Sequence, residues 1–177
     1  MTKKRLLSEE YEATPSLNLS DKIRVAMDFA SFYHKGQYRK STKLPYFTHP
    51  FNVYLLAKKY GLGKNEKILS LLHDTVEDAN KEDVDTIKKE ITYFFGNQML
   101  KLVLLLTKEI SDYKKYLDMV AKYPDVLNVK LLDMMHNLSD SPSQKQIDKY
   151  TDAIKYLLEK NIKNDILNML ARKLKIK

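Results

Sequence analysis

The stretch Leu71-Leu72-His73-Asp74-Thr75-Val76-Glu77-Asp78 sets the reading of the whole chain. Apolar leucines run directly into a histidine, an adjacent aspartate and two further carboxylates. If the stretch is helical, residues four apart share a face, stacking His73 over Glu77 and Asp74 over Asp78. Charge at the end of an apolar approach is unfavourable unless something binds it. Imidazole and carboxylate donors suit zinc, manganese or iron, so a divalent metal is the first expectation.

Upstream, Asn65 is expected to cap a helix that buries Ile68, Leu69, Leu71 and Leu72 and delivers His73 and Asp74 at its end. His49-Pro50 opens the preceding helix, which runs through Lys59 and buries Val53, Leu56, Ala57 and Tyr60. His49 therefore sits at a helix start, able to point its ring across the domain. An earlier helix, capped by Ser20 and ended by Gly36, carries a stripe of Ile23, Met27, Ala30 and His34. His34 continues an apolar stripe, so it reads as a hydrogen-bonded core histidine and not as a ligand. Residues 35–48 form a polar loop with Arg39 and Lys40, and residues 1–18 a flexible lead-in to one domain over 19–177.

Downstream, an acidic loop at 80–85 precedes helices at 85–95 and 97–106, the second with a Leu-Val-Leu-Leu-Leu run expected to be fully buried. Further helices are expected at 112–122, 124–138, 143–160 and 162–175. Four glycines, few β-branched alternations and no hairpin signals predict a single all-α domain, a helical bundle. The last helix spaces Ile162, Ile166, Leu170 and Leu174 four apart, which predicts packing on its own domain more readily than on a membrane or a second copy.

The segment 124–138 carries two stripes. Leu127, Leu131, Met134 and Leu138 form the apolar one; Lys130, Asp133 and Asn137 project together from another face. Turned toward His73 and Asp74, that second face adds Asp133 as a third ligand, and His49 completes four. Two histidines and two aspartates leave room for water, as in a catalytic metal site and unlike a closed structural one. His136, one residue off the stripe, reads as a packing or hydrogen-bonding residue.

Composition is that of an ordinary globular chain: 177 residues, 44% hydrophobic and 31% charged. There is no cysteine, so disulfides and thiolate metal sites are excluded. No signal-like run opens the sequence and nothing approaches the roughly 20 apolar residues of a membrane span, which gives no membrane and a cytoplasmic default. The net charge of +8 is carried by scattered lysines, a solvated surface and not a nucleic-acid footprint. Arginine occurs only at Arg5, Arg24, Arg39 and Arg172, so Arg39 beside Lys40 in a motif-rich loop stands out.

His49, His73-Asp74 and Asp133, in that order, resemble the H…HD…D signature of the HD superfamily of metal-dependent phosphohydrolases. A narrower resemblance is to the alarmone hydrolase domain of the RelA/SpoT family, including its small stand-alone members. His34-Lys35-Gly36-Gln37 with Arg39-Lys40 is similar to that family's H-x-G-Q-x-R-K loop, and Pro45-Tyr46 through His49-Pro50 to its P-Y-x-x-H-P. Leu71 to Asp78 resembles L-L-H-D-x-x-E-D, Thr107-Lys108 the T-K that closes a buried helix, and Val129 to Asn137 V-K-L-A-D-R-L-H-N. The similarity spans about residues 22–160. Three positions depart from the pattern: Thr42 stands where glycine is usual, Leu132 where alanine is, and Met134 where arginine is.

The resemblance implies removal of the 3′-pyrophosphate of guanosine 3′,5′-bis(diphosphate) or its 5′-triphosphate form, giving GDP or GTP and pyrophosphate. It implies one manganese ion per site on His49, His73, Asp74 and Asp133, with Glu77 and Asp78 managing the water and leaving-group protons. Arg39, Lys40, Ser41, Lys130 and Asn137 are the candidate substrate contacts. Arg39 can stack on a purine and pair with phosphate, and Lys40 offers a point charge. No synthetase-like segment follows, which implies a hydrolase-only member, with a homo-oligomer possible. The competing readings are a phosphohydrolase acting on NADPH or an adenosine alarmone, a non-catalytic binding module, and a nucleic-acid binder. Retention of Glu77 and Asp78 argues against the second, and the absence of a recognition motif against the third.

Overall fold

The computed structural model describes residues 18–107 and 110–176. Among the described residues there are nine helices and no strand, and the one β-type pairing is a bridge from Tyr38 to Pro45. The expected lead-in, apart from Asn18, lies outside the described residues, as does Lys108 of the Thr107-Lys108 pair. Asn18, and not Ser20, caps the first helix, α1 (Leu19–Tyr33), its side chain accepting from the Asp21 backbone N–H at 3.0 Å. Ser20 lies inside the first turn, two residues too late for the role.

Helix α2 (Thr48–Lys59) and α3 (Lys64–Leu72) follow, with Gly63 in place of Asn65 as the α3 cap residue. After Gly63 the sequence continues with α4 (Val84–Phe95), α5 (Asn97–Leu106), α6 (Tyr113–Val120), α7 (Pro124–Asn137), α8 (Gln144–Glu159) and α9 (Asp165–Lys173). Gly96 divides α4 from α5 with φ +88° and ψ 162°, a conformation an L side chain rarely adopts. Asp112, Ser143 and Asn164 cap α6, α8 and α9 with side-chain oxygens, Ser143 through a capping box with Gln146.

The core forms where the apolar stripes meet. Helix α3 is central: it packs on α1, α2, α5 and α7, and Leu69, Leu71 and Leu72 lose all exposure. Phe29 of α1, Ile87 and Ile91 of α4 and Leu131, Leu132 and Met134 of α7 close around it. The Leu102–Leu106 run is helical, and only Leu102, Val103 and Leu106 are buried, so the expectation of full burial is corrected to one face. Ile166, Leu167 and Leu170 of α9 pack inward against α7 and α8, as the stripe predicts. No helix of the described residues is long and apolar enough to cross a membrane.

Candidate metal centre and adjoining cleft

Helix α3 ends at Leu72, so residues 73–78 form turns and not a continued helix. The turn keeps a helix-like hydrogen bond from Asp78 N–H to Asp74 C=O at 2.9 Å, which preserves part of the expected spacing. Three helices meet here. His49 comes from the first turn of α2, His73 and Asp74 from just beyond α3, and Asp133 from the C-terminal half of α7.

Ligand atoms of His49, His73 and Asp74 all lie within 4.8 Å of one another, and Asp133 approaches from the histidine side. His49 Nε2 lies 3.3 Å from His73 Nε2, 3.4 Å from Asp74 Oδ2 and 3.1 Å from Asp133 Oδ1. His73 Nε2 lies 3.1 Å from Asp74 Oδ2 and 4.0 Å from Asp133 Oδ1. Ligands held about 2.1 Å from one ion sit about 3.0–3.4 Å from their neighbours, so most of these separations match the edges of a single shell. The ring tautomers also suit ligation. His73 Nδ1–H donates to the Ser70 carbonyl at 2.8 Å, leaving Nε2 to face the cluster. His49 Nδ1 pairs with His136 Nδ1 at 2.8 Å, so the neighbour read as a hydrogen-bonding residue orients the His49 ring.

Electrostatics follow from the packing. Burial opposes charge on His49, but hydrogen bonds to Asp133 and Asp74 outweigh it and raise its pKa to about 9. Burial and then the charge of His49 push His136 down to about 4. Burial would raise Asp74 and Asp133, yet His73 and His49 hold Asp74, and Lys130 and His49 hold Asp133, well below the usual carboxylate range. An anionic pair of carboxylates beside two imidazoles fits a divalent cation.

Lys130, Asp133 and Asn137 do share one face of α7. Lys130 Nζ donates to Asp133 Oδ2 at 2.7 Å, and Asn137 Nδ2 donates to Asp133 Oδ1 at 2.6 Å. Asn137 Oδ1 in turn accepts from Arg39 Nη2 at 2.6 Å, and Arg39 Nε donates to Asp140 Oδ2 at 2.9 Å. The side-on edge of the Arg39 guanidinium is thus engaged, and the group lies 5.6 Å from the Tyr46 ring centre.

A cleft of about 650 Å³ opens beside the cluster, lined by Tyr38, Arg39, Lys40, Ser41, Tyr46 and Asp78 on one side. The segment after α7 (Ser141, Pro142 and Ser143) and Gln146 of α8 complete it. Asp78 is thus at the cleft, and Tyr46 links it to the cluster by donating to Asp74 Oδ2 at 2.9 Å. Asp78 is exposed at the cleft, where partial desolvation, and then the charge of Asp74, raises its pKa. Glu77 is exposed and acts electrostatically on Tyr113 and Tyr116, on the Lys130 flank. Lys40 and Ser41 are exposed at the rim, with Ser41 Oγ 3.5 Å from Asp140.

His34 is buried, as expected, and bonds Gln37 Oε1 through Nδ1 at 2.7 Å, while Gln37 Nε2 donates to the Asp78 carbonyl at 2.9 Å. Tyr46, Gln37 and Asp140 were not singled out from sequence. Tyr46 and Gln37 stood inside recognised motifs, but Asp140, in a polar loop, gave no signal.

A curated guanosine-3′,5′-bis(diphosphate) 3′-pyrophosphohydrolase of Aquifex aeolicus is 34% identical over 128 residues, covering 67% of this chain and 18% of its own length. A probable GTP pyrophosphokinase of Mycobacterium leprae is 29% identical over 165 residues, covering 86% of this chain and 20% of its own. The chain thus spans about a fifth of these relatives. A solved structure, described as a metazoan ortholog of SpoT that hydrolyzes ppGpp, superposes with a TM-score of 0.69 over 89% of this chain and 98% of that one, at 23% identity. A family model described as HD domain matches residues 26–159, well over half of the sequence, and this chain belongs to that family.

Proposed function

We propose that this chain hydrolyses the 3′-pyrophosphate of guanosine 3′,5′-bis(diphosphate), or of its 5′-triphosphate form, to GDP or GTP and pyrophosphate. The observation that carries the reading is the convergence of two imidazole nitrogens and two carboxylate oxygens beside a cleft that Asp78 also lines. The names borne by the Aquifex relative and the metazoan neighbour supply the substrate class.

His49, His73, Asp74 and Asp133 would hold one manganese ion, which, when bound, acidifies water and polarises phosphoryl oxygens. The remaining work falls to side chains. The face of Arg39, whose side-on edge is occupied, stacks on the purine, while Lys40 and Ser41 meet the phosphates from the rim. Asp78 lines the cleft, which supports a role at the departing 3′-oxygen, to which it passes a proton. Glu77, off the cleft, takes the proton of the attacking water. Water oxygen bonds to the proximal phosphorus, the phosphorus–O3′ bond breaks, and one proton enters and one leaves the site. A nucleotide substrate of this kind is in keeping with a cytoplasmic protein.

The deciding experiment is product analysis of guanosine tetraphosphate incubated with manganese and either the native chain or Asp74→Ala. GDP and pyrophosphate from the native chain alone support the proposal. Manganese binding without turnover rejects the substrate, and orthophosphate released from NADPH would move the activity to that nucleotide.

A further inference from the structure

We infer that Lys130 is a positioning residue that holds Asp133 for single-oxygen donation to the cation, not a contact to the substrate. This rests on the metal reading of the cluster proposed above. Lys130 lies one helical turn before Asp133 on α7 and its ammonium meets Oδ2 at 2.7 Å. Both side chains are largely withdrawn from solvent, 17% and 7% exposed. The Tyr116 ring, itself 1% exposed, lies 5.9 Å from Lys130 Nζ, and its hydroxyl is spent on the Leu106 carbonyl at 3.1 Å.

A carboxylate has two oxygens and here each has a separate duty. Oδ2 accepts from Lys130. Oδ1 accepts from Asn137 and is the oxygen 3.1 Å from His49 Nε2. With one oxygen tied to an ammonium, the carboxylate cannot swing both toward the cluster, so coordination positions stay open for water and a phosphoryl oxygen. Lys130 is also absent from the lining of the cleft, where Arg39 and Lys40 supply the accessible cations. Its charge remains after a divalent cation balances Asp74 and Asp133.

The test is a manganese titration of the native chain, Lys130→Met and Lys130→Arg without nucleotide, followed by KM and kcat on guanosine tetraphosphate at saturating manganese. Lys130→Met should bind manganese about 10–100-fold more weakly, as loss of an outer-shell partner typically does. Its KM at saturating manganese should stay near the native value, and Lys130→Arg should recover most of the affinity. Where Lys130→Met fails to fold by circular dichroism, Lys130→Gln must show the same weakening. Unchanged manganese affinity in the folded variant overturns the inference, and a raised KM beside it would assign Lys130 to the substrate. A native chain that binds no manganese overturns the metal reading itself; one that binds manganese but leaves the alarmone intact overturns only the substrate, and the titration still decides Lys130.

Discussion

The floor of the site and its rim are built differently. On the floor, each carboxylate has three partners: Asp133 meets Lys130, Asn137 and His49, and Asp74 meets His73, His49 and Tyr46. At the rim, Lys40 and Ser41 are exposed, and Ser41 has one long contact to Asp140. Burial makes every unsatisfied polar group unfavourable, so the floor must be over-determined. Solvent satisfies the rim at no such penalty, and its residues are free to vary with the substrate. Arg39 is the exception that joins the two, since it stands in the cleft and reaches Asp133 through Asn137.

Changes on the floor should therefore abolish what changes at the rim only modulate. Asp74→Ala should eliminate turnover and also the manganese-dependent rise in Tm. That rise should be roughly 5–10 °C for the native chain at a hundredfold excess over Kd, the equivalent of about 2.7 kcal/mol in a chain of this size. A full thermal shift in Asp74→Ala would break the contrast at its strongest point. Next come the two acids: Glu77→Gln and Asp78→Asn should each lower kcat by about 10²–10⁴-fold while keeping the manganese shift. Loss of that shift in either variant would make the acid part of the metal shell.

Arg39 sharpens the comparison from the middle. Arg39→Ala strips the ionic partner from Asp140, so it should raise KM about tenfold, roughly 1.4 kcal/mol, and lower Tm as well. Asp140→Asn should move both in the same direction by less, and a double-mutant cycle should show the two residues coupled. Independent, additive effects would separate the cleft from the floor. Smallest of all, Lys40→Ala should raise KM only a few-fold, with the difference fading as salt rises. A Lys40 effect that matched that of Arg39 and ignored salt would place it among the buried contacts.

Much of the site could be read along the chain because its chemistry is compressed into short motifs. His73 and Asp74 are adjacent, His49 stands at a proline-marked helix start, and Lys130, Asp133 and Asn137 obey helical spacing. The helix order and most boundaries were equally legible from apolar periodicity and glycine breaks. Local exceptions had local causes: Asn18 and Gly63 cap where Ser20 and Asn65 were expected, because the helices begin a residue or two earlier. The turn after Leu72 replaces a helix because the two acids continue toward solvent where the leucine packing ends.

The sequence alone determined an all-α chain and the residue types able to hold a cation, since periodicity and donor chemistry are properties of short segments. Tertiary structure alone decided which atoms face one another. That His136 steers His49 and that Asp140 pins Arg39 depend on contacts between segments 87 and 101 residues apart. Such pairings are set by how helices pack, and no local pattern encodes them.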